Sequence, residues 1–167
     1  MRSVQRRIML VGEQASGKGR LISLLTGGRW QERRVMAVEY CGPFINTPGE
    51  FLENRRFYPA LITAAMDCSL ICFLQNARSR TSLFPPRFAS MFNCATLGLI
   101  TACDAPGASL ARAGRFLQAA GLAQWLPVSL ESGVGMDALR TCLQEKSGFS
   151  FAGPVEPGVQ PGTGSWT

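Results

Sequence analysis

Histidine is absent from this 167-residue chain. Zinc sites built on imidazole and acid–base chemistry run by histidine are therefore excluded. What remains is a cysteine-only metal site, carboxylate chemistry or plain phosphate chemistry. Lysine is nearly absent too: of 17 basic residues only Lys18 and Lys146 are lysine, and the rest are arginine. No CxxC pair exists among the six cysteines, at 41, 68, 72, 94, 103 and 142, and several lie in apolar runs such as SLICFL. They read as buried free thiols of a reducing compartment. No apolar run approaches the ~20 residues of a membrane helix. The opening MRSVQRRIMLVGE carries too short an apolar stretch for a signal peptide, so the expectation is a cytoplasmic protein without a membrane partner. The basic pairs Arg6-Arg7, Arg33-Arg34 and Arg55-Arg56 are scattered. Despite a net charge of +6, no basic run interleaved with aromatics marks a nucleic-acid groove.

What is present is globular. Hydrophobic residues make up 46% and charged residues 17% of the chain, enough for one domain with a full core. Residues 7–11 read as a buried strand, 19–25 as a helix closed by Gly27-Gly28, and 35–40 and 42–46 as two strands joined tightly. Thr47-Pro48-Gly49-Glu50 breaks the second of these. Further along, 57–66 reads as a helix, 69–74 as a central parallel strand and 75–85 as a loop. Residues 86–92 read as a short helix and 95–101 as a strand. Ser109 caps a helix reaching Ala120, and 125–129 and 136–146 close the pattern as strand and helix. Strands alternating with helices imply an α/β fold, a mostly parallel six-stranded sheet with helices on both faces. That domain is expected to span 1–147. From 148 to 167 proline and glycine dominate, GFSFAGPVEPGVQPGTGSWT, and a disordered tail is expected.

The chemistry starts at Gly12-Glu13-Gln14-Ala15-Ser16-Gly17-Lys18. A Gly-x-x-x-x-Gly-Lys run after a strand and before a helix is a phosphate loop. Its glycines let backbone N–H groups wrap an anion, the helix start adds partial positive charge, and the lysine reaches terminal phosphates. A chain so dominated by arginine keeps a lysine here because a compact ammonium suits a tight loop and a planar guanidinium does not. The next position normally carries the hydroxyl that binds magnesium, and here it is Gly19. Asn46-Thr-Pro-Gly49 ends a strand about thirty residues on, where P-loop GTPases carry Asp-x-x-Gly. Asn46 keeps a neutral oxygen and removes the charge, although a plain Pro-Gly turn has the same form.

The segments Ala37-Val-Glu-Tyr40, Asn46-Thr-Pro-Gly-Glu50 and Tyr58-x-Ala60-Leu-Ile-Thr63 resemble the EutP/PduV family. These are small P-loop proteins of ethanolamine- and propanediol-utilization microcompartment operons. The resemblance runs from about Arg7 to Lys146. It implies a Ras-like P-loop NTPase fold, a nucleotide ligand (ATP or GTP) and association with a bacterial microcompartment, its shell or its enzymes. Members have been described both as GTPase-like and as acetate kinases. Carried over by position, Gly12, Gly17, Lys18, Gly49 and Glu50 are kept, with Glu50 the candidate catalytic group. Val35 falls near the switch threonine, and Asn46 replaces the acidic residue. Thr101-Ala102-Cys103-Asp104 stands where a guanine-reading Thr/Asn-Lys-x-Asp is expected, its lysine replaced by Ala102. Asp104 is either a base acceptor or a cap of its Pro-Gly loop. Ser129-Leu130 opens a loop like the one whose backbone meets the base.

Three departures, at Gly19, Val35 and Asn46, bear on one ligand, magnesium. They imply metal that is weakly held or absent, and a degenerate nucleotide-binding accessory protein with little or no hydrolysis. The competing class is a working GTPase or acetate kinase that holds its metal through Glu13, Glu39 or Glu50. Glu13 sits inside the phosphate loop, where its charge is expected to repel phosphates unless it points outward.

Overall fold

The computed structural model describes residues 7–28 and 36–149. Strand β1 (Arg7–Gly12) leads through the glycine loop into helix α1 (Lys18–Leu25). The short strands β2 (Glu39–Cys41) and β3 (Phe44–Asn46) turn at Gly42, whose φ of 59° lies in the left-handed region that glycine adopts most readily. Helix α2 (Glu50–Glu53) and a single tight turn (Arg55–Phe57) precede α3 (Tyr58–Ala65). Then come β4 (Cys68–Asn76), β5 (Ala95–Thr101), α4 (Leu110–Ala119), β6 (Trp125–Pro127) and α5 (Met136–Ser147).

The six strands form one sheet in the order β2-β3-β1-β4-β5-β6, and only the β2–β3 pairing is antiparallel. Alternation along the strands explains why helices lie on both faces. Ile8, Leu10, Leu70, Cys72 and Leu74 face one side, packed against Leu21, Ile22 and Leu25 of α1 and Leu139 and Leu143 of α5. Met9, Val11, Ile71 and Phe73 face the other, packed against Leu61 of α3 and Ala113 and Leu117 of α4. On that second face the ring of Phe73 meets Phe84, Phe88 and Phe92 edge-on, with centroids 5.5, 5.9 and 6.1 Å apart.

Several element boundaries differ from the sequence reading. The strand expected over 35–40 begins only at Glu39, because β2 is a sheet edge whose pairing to β3 lasts three residues. The strand expected to stop at Leu74 continues through Gln75 and Asn76, which pair with Ile100 and Thr101. Buried Gln75 keeps its amide satisfied on the carbonyls of Asn76 and Thr81. The helix expected over 86–92 is one turn, Phe88–Met91, entered through Arg87 at φ 59°. The last strand ends at Pro127 rather than 129, although Val128 N–H still donates to Ile100 at 2.8 Å. Ser109 caps α4 as expected, its hydroxyl accepting from Arg112 N–H at 3.2 Å. Gly148, at φ 79°, ends α5, and the expected tail lies outside the described residues from 150 onward. No helix among the described residues is long and apolar enough to cross a membrane.

Candidate functional site

Parallel strands end on the same edge of a sheet, so the loops after β1, β3, β4, β5 and β6 converge there. The loop after β1 is held in one shape by its backbone. Ala15 and Gly17 both adopt left-handed conformations, at φ 63° and 99°. Ser16 N–H donates to Glu13 at 3.1 Å, and Leu21 N–H donates to Gly17 at 2.9 Å to start α1. Gly17 also lies against the next loop: a Cβ there would stand 2.8 Å from Leu130 Cδ1 and would push that side chain aside. Ala15 takes the strain of a left-handed backbone without that freedom, a feature that concentrates at ligand-binding loops.

Lys18 is 7% exposed and stitches the loop together. Its ammonium donates to the carbonyls of Gly12 (2.7 Å) and Glu13 (2.8 Å) and to Ser16 Oγ (3.3 Å). Burial pushes its pKa down from 10.5 to about 8, and the nearby charge of Glu13 partly opposes that shift. Glu13 itself does not simply point outward. One of its carboxylate oxygens, Oε1, is buried with no hydrogen-bond partner.

The segment after β3 closes on this loop. Thr47 Oγ donates to the Leu10 carbonyl at 2.7 Å and ties the end of β3 to β1. Gly49 lies so close that a Cβ would stand 2.2 Å from Gln14 N, so only glycine permits the approach. Asn46 is 5% exposed, and its Oδ1 is buried without a partner, an arrangement that calls for a donor or cation from outside the chain. Glu50 opens α2 beside Gly49. Gly19 sits in the first turn of α1 and adds no side chain. Val35 lies outside the described residues.

A cavity of about 490 Å³ extends from Ala15, Ser16 and Gly17 to Thr101, Ala102 and Asp104, flanked by the Ser129–Ser132 loop. Thr101 is 3% exposed, and its hydroxyl has no partner. Ala102 stands at φ 56°, so the replaced lysine position is left-handed. Asp104 Oδ2 accepts from Ser132 Oγ at 2.6 Å. Hydrogen bonds, from Ser132 first and then Ser129, hold its carboxyl below the usual aspartate range. Asp104 thus bridges from its own Pro-Gly loop to the loop that follows β6. That loop is closed by Ser132 N–H on Ser129 Oγ (3.2 Å) and by Gly133 N–H on the Ser129 carbonyl (3.0 Å).

The structure thus brings Gly12–Gly19, Asn46, Gly49 and Glu50 to one end of the edge and Asp104, Ser129 and Leu130 to the other. Sequence reading missed Thr47, Ser132 and the cavity-lining Arg20 and Arg78. For Arg20 the available signal was a cation two residues past the loop lysine. The glycine-lined loop and the Lys18 ammonium fit the phosphates of a nucleotide. The orphaned Glu13 and Asn46 oxygens are acceptors and call for a donor or a cation instead, and the usual magnesium set is incomplete, because Gly19 offers no hydroxyl and Asn46 offers a neutral oxygen. Among the described residues no three acidic or cysteine side chains gather to hold a metal.

The family model described as "Ethanolamine utilisation - propanediol utilisation" matches residues 5–145. The chain is 35% identical over 99 residues to the propanediol utilization protein PduV of Citrobacter freundii, covering 59% of this chain and 66% of that one. It is 30% identical over 114 residues to the probable acetate kinase EutP of Escherichia coli K12, covering 67% and 72%. Among solved structures, Aquifex aeolicus Era bound to GDP·AlF4⁻ superposes with a TM-score of 0.58 at 16% identity, over 90% of this chain and 59% of Era. Elongation factor SelB of Methanococcus maripaludis with GppNHp gives 0.59 at 18%, over 87% of this chain and 34% of SelB. Those two likenesses concern the fold.

Proposed function

Because this chain belongs to the PduV-EutP family of ethanolamine- and propanediol-utilisation proteins, we propose that it is a nucleotide-binding accessory protein of such a pathway. It acts beside the shell or enzymes of a microcompartment and has little or no hydrolytic activity. The observation that carries this reading is the phosphate loop. Lys18 spans it through three hydrogen bonds, and Gly49 seals it against Gln14. Phosphates bound there would meet loop amides, the start of α1 and an ammonium, all positive and largely preformed. Era and SelB, which share the fold, are described with GDP·AlF4⁻ and GppNHp, and that supports a guanine nucleotide as one ligand.

Phosphoryl transfer needs more than ground-state binding. Only interactions that strengthen in the transition state accelerate it, and magnesium supplies much of that difference in P-loop enzymes. Here Gly19 and Asn46 leave the terminal phosphate charge to Lys18 and backbone amides. Binding is therefore expected to be nearly indifferent to magnesium. Titration of fluorescently labelled GTP and ATP, with and without EDTA, tests this; a strong loss of affinity on chelation overturns it. The second reading is an acetate kinase. It draws on the name of the Escherichia coli relative and on the Glu13 carboxylate buried at the loop. Turnover of ATP with acetate at ~1 s⁻¹, far above the ~10⁻⁴ s⁻¹ intrinsic rate of Ras, would replace the first reading with this one.

A further inference from the structure

We infer that Arg20 is a ligand-selecting contact of the cavity, exchanging Glu131 for the phosphate that adjoins the nucleoside. The inference rests on the nucleotide reading of the loop and adds what that reading lacks, a group that distinguishes a nucleotide from a bare polyphosphate.

Arg20 sits in the first turn of α1, two residues after Lys18, so its side chain leaves the helix in a different direction. It lines the cavity alongside Ala15, Ser16 and Gly17, and from the other side the cavity is lined by Thr101 and Asp104. The loop end of this cavity is where backbone amides accept phosphate. The far end holds Asp104 and the buried Thr101 hydroxyl, which has no partner within the chain. A polar side chain 3% exposed and unsatisfied on a cavity wall marks a place where a ligand completes the hydrogen bonding. Arg20 therefore stands at the loop end of a cavity whose far wall is unsatisfied, beside the inner phosphates of a molecule that spans both ends.

In the structure Arg20 Nη1 lies 3.8 Å from Glu131 Oε1, with the two side chains 43% and 85% exposed. An exposed pair at that distance adds little to stability and is easily exchanged. A phosphate offers the guanidinium shorter, bidentate, charge-assisted hydrogen bonds, and Arg suits that geometry better than Lys. Glu131 then acts in the opposite sense. Its carboxylate competes for Arg20 and repels an incoming anion, so an anion too small to reach Arg20 gains nothing from the exchange. The ligand selected is a nucleoside di- or triphosphate rather than inorganic pyrophosphate.

The test uses the full-length chain and competition of labelled GTP by unlabelled GTP and by inorganic pyrophosphate. Arg20→Ala is expected to weaken GTP tenfold or more while pyrophosphate stays within threefold, with partial recovery in Arg20→Lys. Glu131→Gln, at an exposed site that leaves folding intact, is expected to tighten GTP at least threefold. If Arg20→Ala and Glu131→Gln both leave GTP within twofold while Lys18→Ala abolishes its binding, the selecting role of Arg20 is wrong and the nucleotide site stands. If Arg20→Ala weakens GTP and pyrophosphate equally, Arg20 is a general anion attractor and the selecting role is also overturned. If the unmodified chain binds no nucleotide at all, the reading of the loop itself falls.

Discussion

Lys18 carries the clearest conflict between stability and function at the residue scale. Its ammonium is buried among loop carbonyls, and burial lowers its pKa from 10.5 to about 8. Between those values the unfolded chain holds a proton that the folded chain has released, so this group makes stability rise with pH across that window. Cys68, pushed up to about 12 by burial, and fully buried Cys72, raised as well, act in the opposite direction above the ordinary thiol range. The lysine's share is therefore isolated by difference. Chemical denaturation of the wild type and of Lys18→Met at pH 7.5 and pH 10 is expected to show their stability gap shifting toward the wild type as pH rises. A gap that does not move with pH would show that the ammonium is not desolvated. Over the same range polyphosphate affinity is expected to fall above pH ~8, as Lys18 loses the charge that the anion meets. Gly49 makes a complementary point: a side chain there would collide with the Gln14 backbone, so its identity is set by a contact 35 positions away in the chain.

At the scale of elements, the turn from β1 into α1 and the turn from β3 into α2 form one device. Thr47 bonds to the Leu10 carbonyl, and Gly49 rests on Gln14, so the second turn is positioned by the first. Two of the three positions that depart from the magnesium pattern lie one on each turn: Gly19 in the first turn of α1 and Asn46 at the end of β3. Restoring both should restore chemistry if the site has decayed. Gly19→Thr with Asn46→Asp is expected to raise single-turnover GTP hydrolysis in magnesium by tenfold or more, about 1.4 kcal/mol of transition-state stabilisation. Threonine also removes a glycine from the first turn of α1. No gain in rate would mean that the barrier lies elsewhere, and the degenerate-site account would lose its main support.

For the whole molecule, the sheet edge joins the glycine loop to Asp104 and the Ser129 loop across a cavity of about 490 Å³. On the proposed nucleotide reading, base choice is set at the Asp104 end. The lysine stem that would pack on a purine is replaced by Ala102, and Ser132 already occupies one oxygen of Asp104. GTP and ATP are expected to bind within about tenfold of each other, or ~1.4 kcal/mol. Competition titrations measure the ratio, and a hundredfold preference for GTP would show that Asp104 and the Ser129 loop read guanine unaided.

Most of the fold was legible in the sequence because periodicity and glycine placement are local signals. Strand β5 was read to the residue, and the Ser109 cap, the loop at 12–18 and the alternation of strands with helices follow from neighbours within a few positions. The ends of β2, β4 and β6 were not legible, since each is set by how far a partner strand continues beside it. Gln75 and Asn76 look like loop residues until β5 offers them hydrogen bonds. In the same way, the phosphate-loop motif and the spacing from it made Lys18 and Gly49 candidates, and the family resemblance added Asp104. Only the tertiary structure decided that Gly49 touches Gln14, that Asp104 is held by Ser132 and that Arg20 faces Glu131. Those contacts join residues 28 to 111 positions apart, and no pattern along the chain encodes a distance that folding alone brings to a few ångströms.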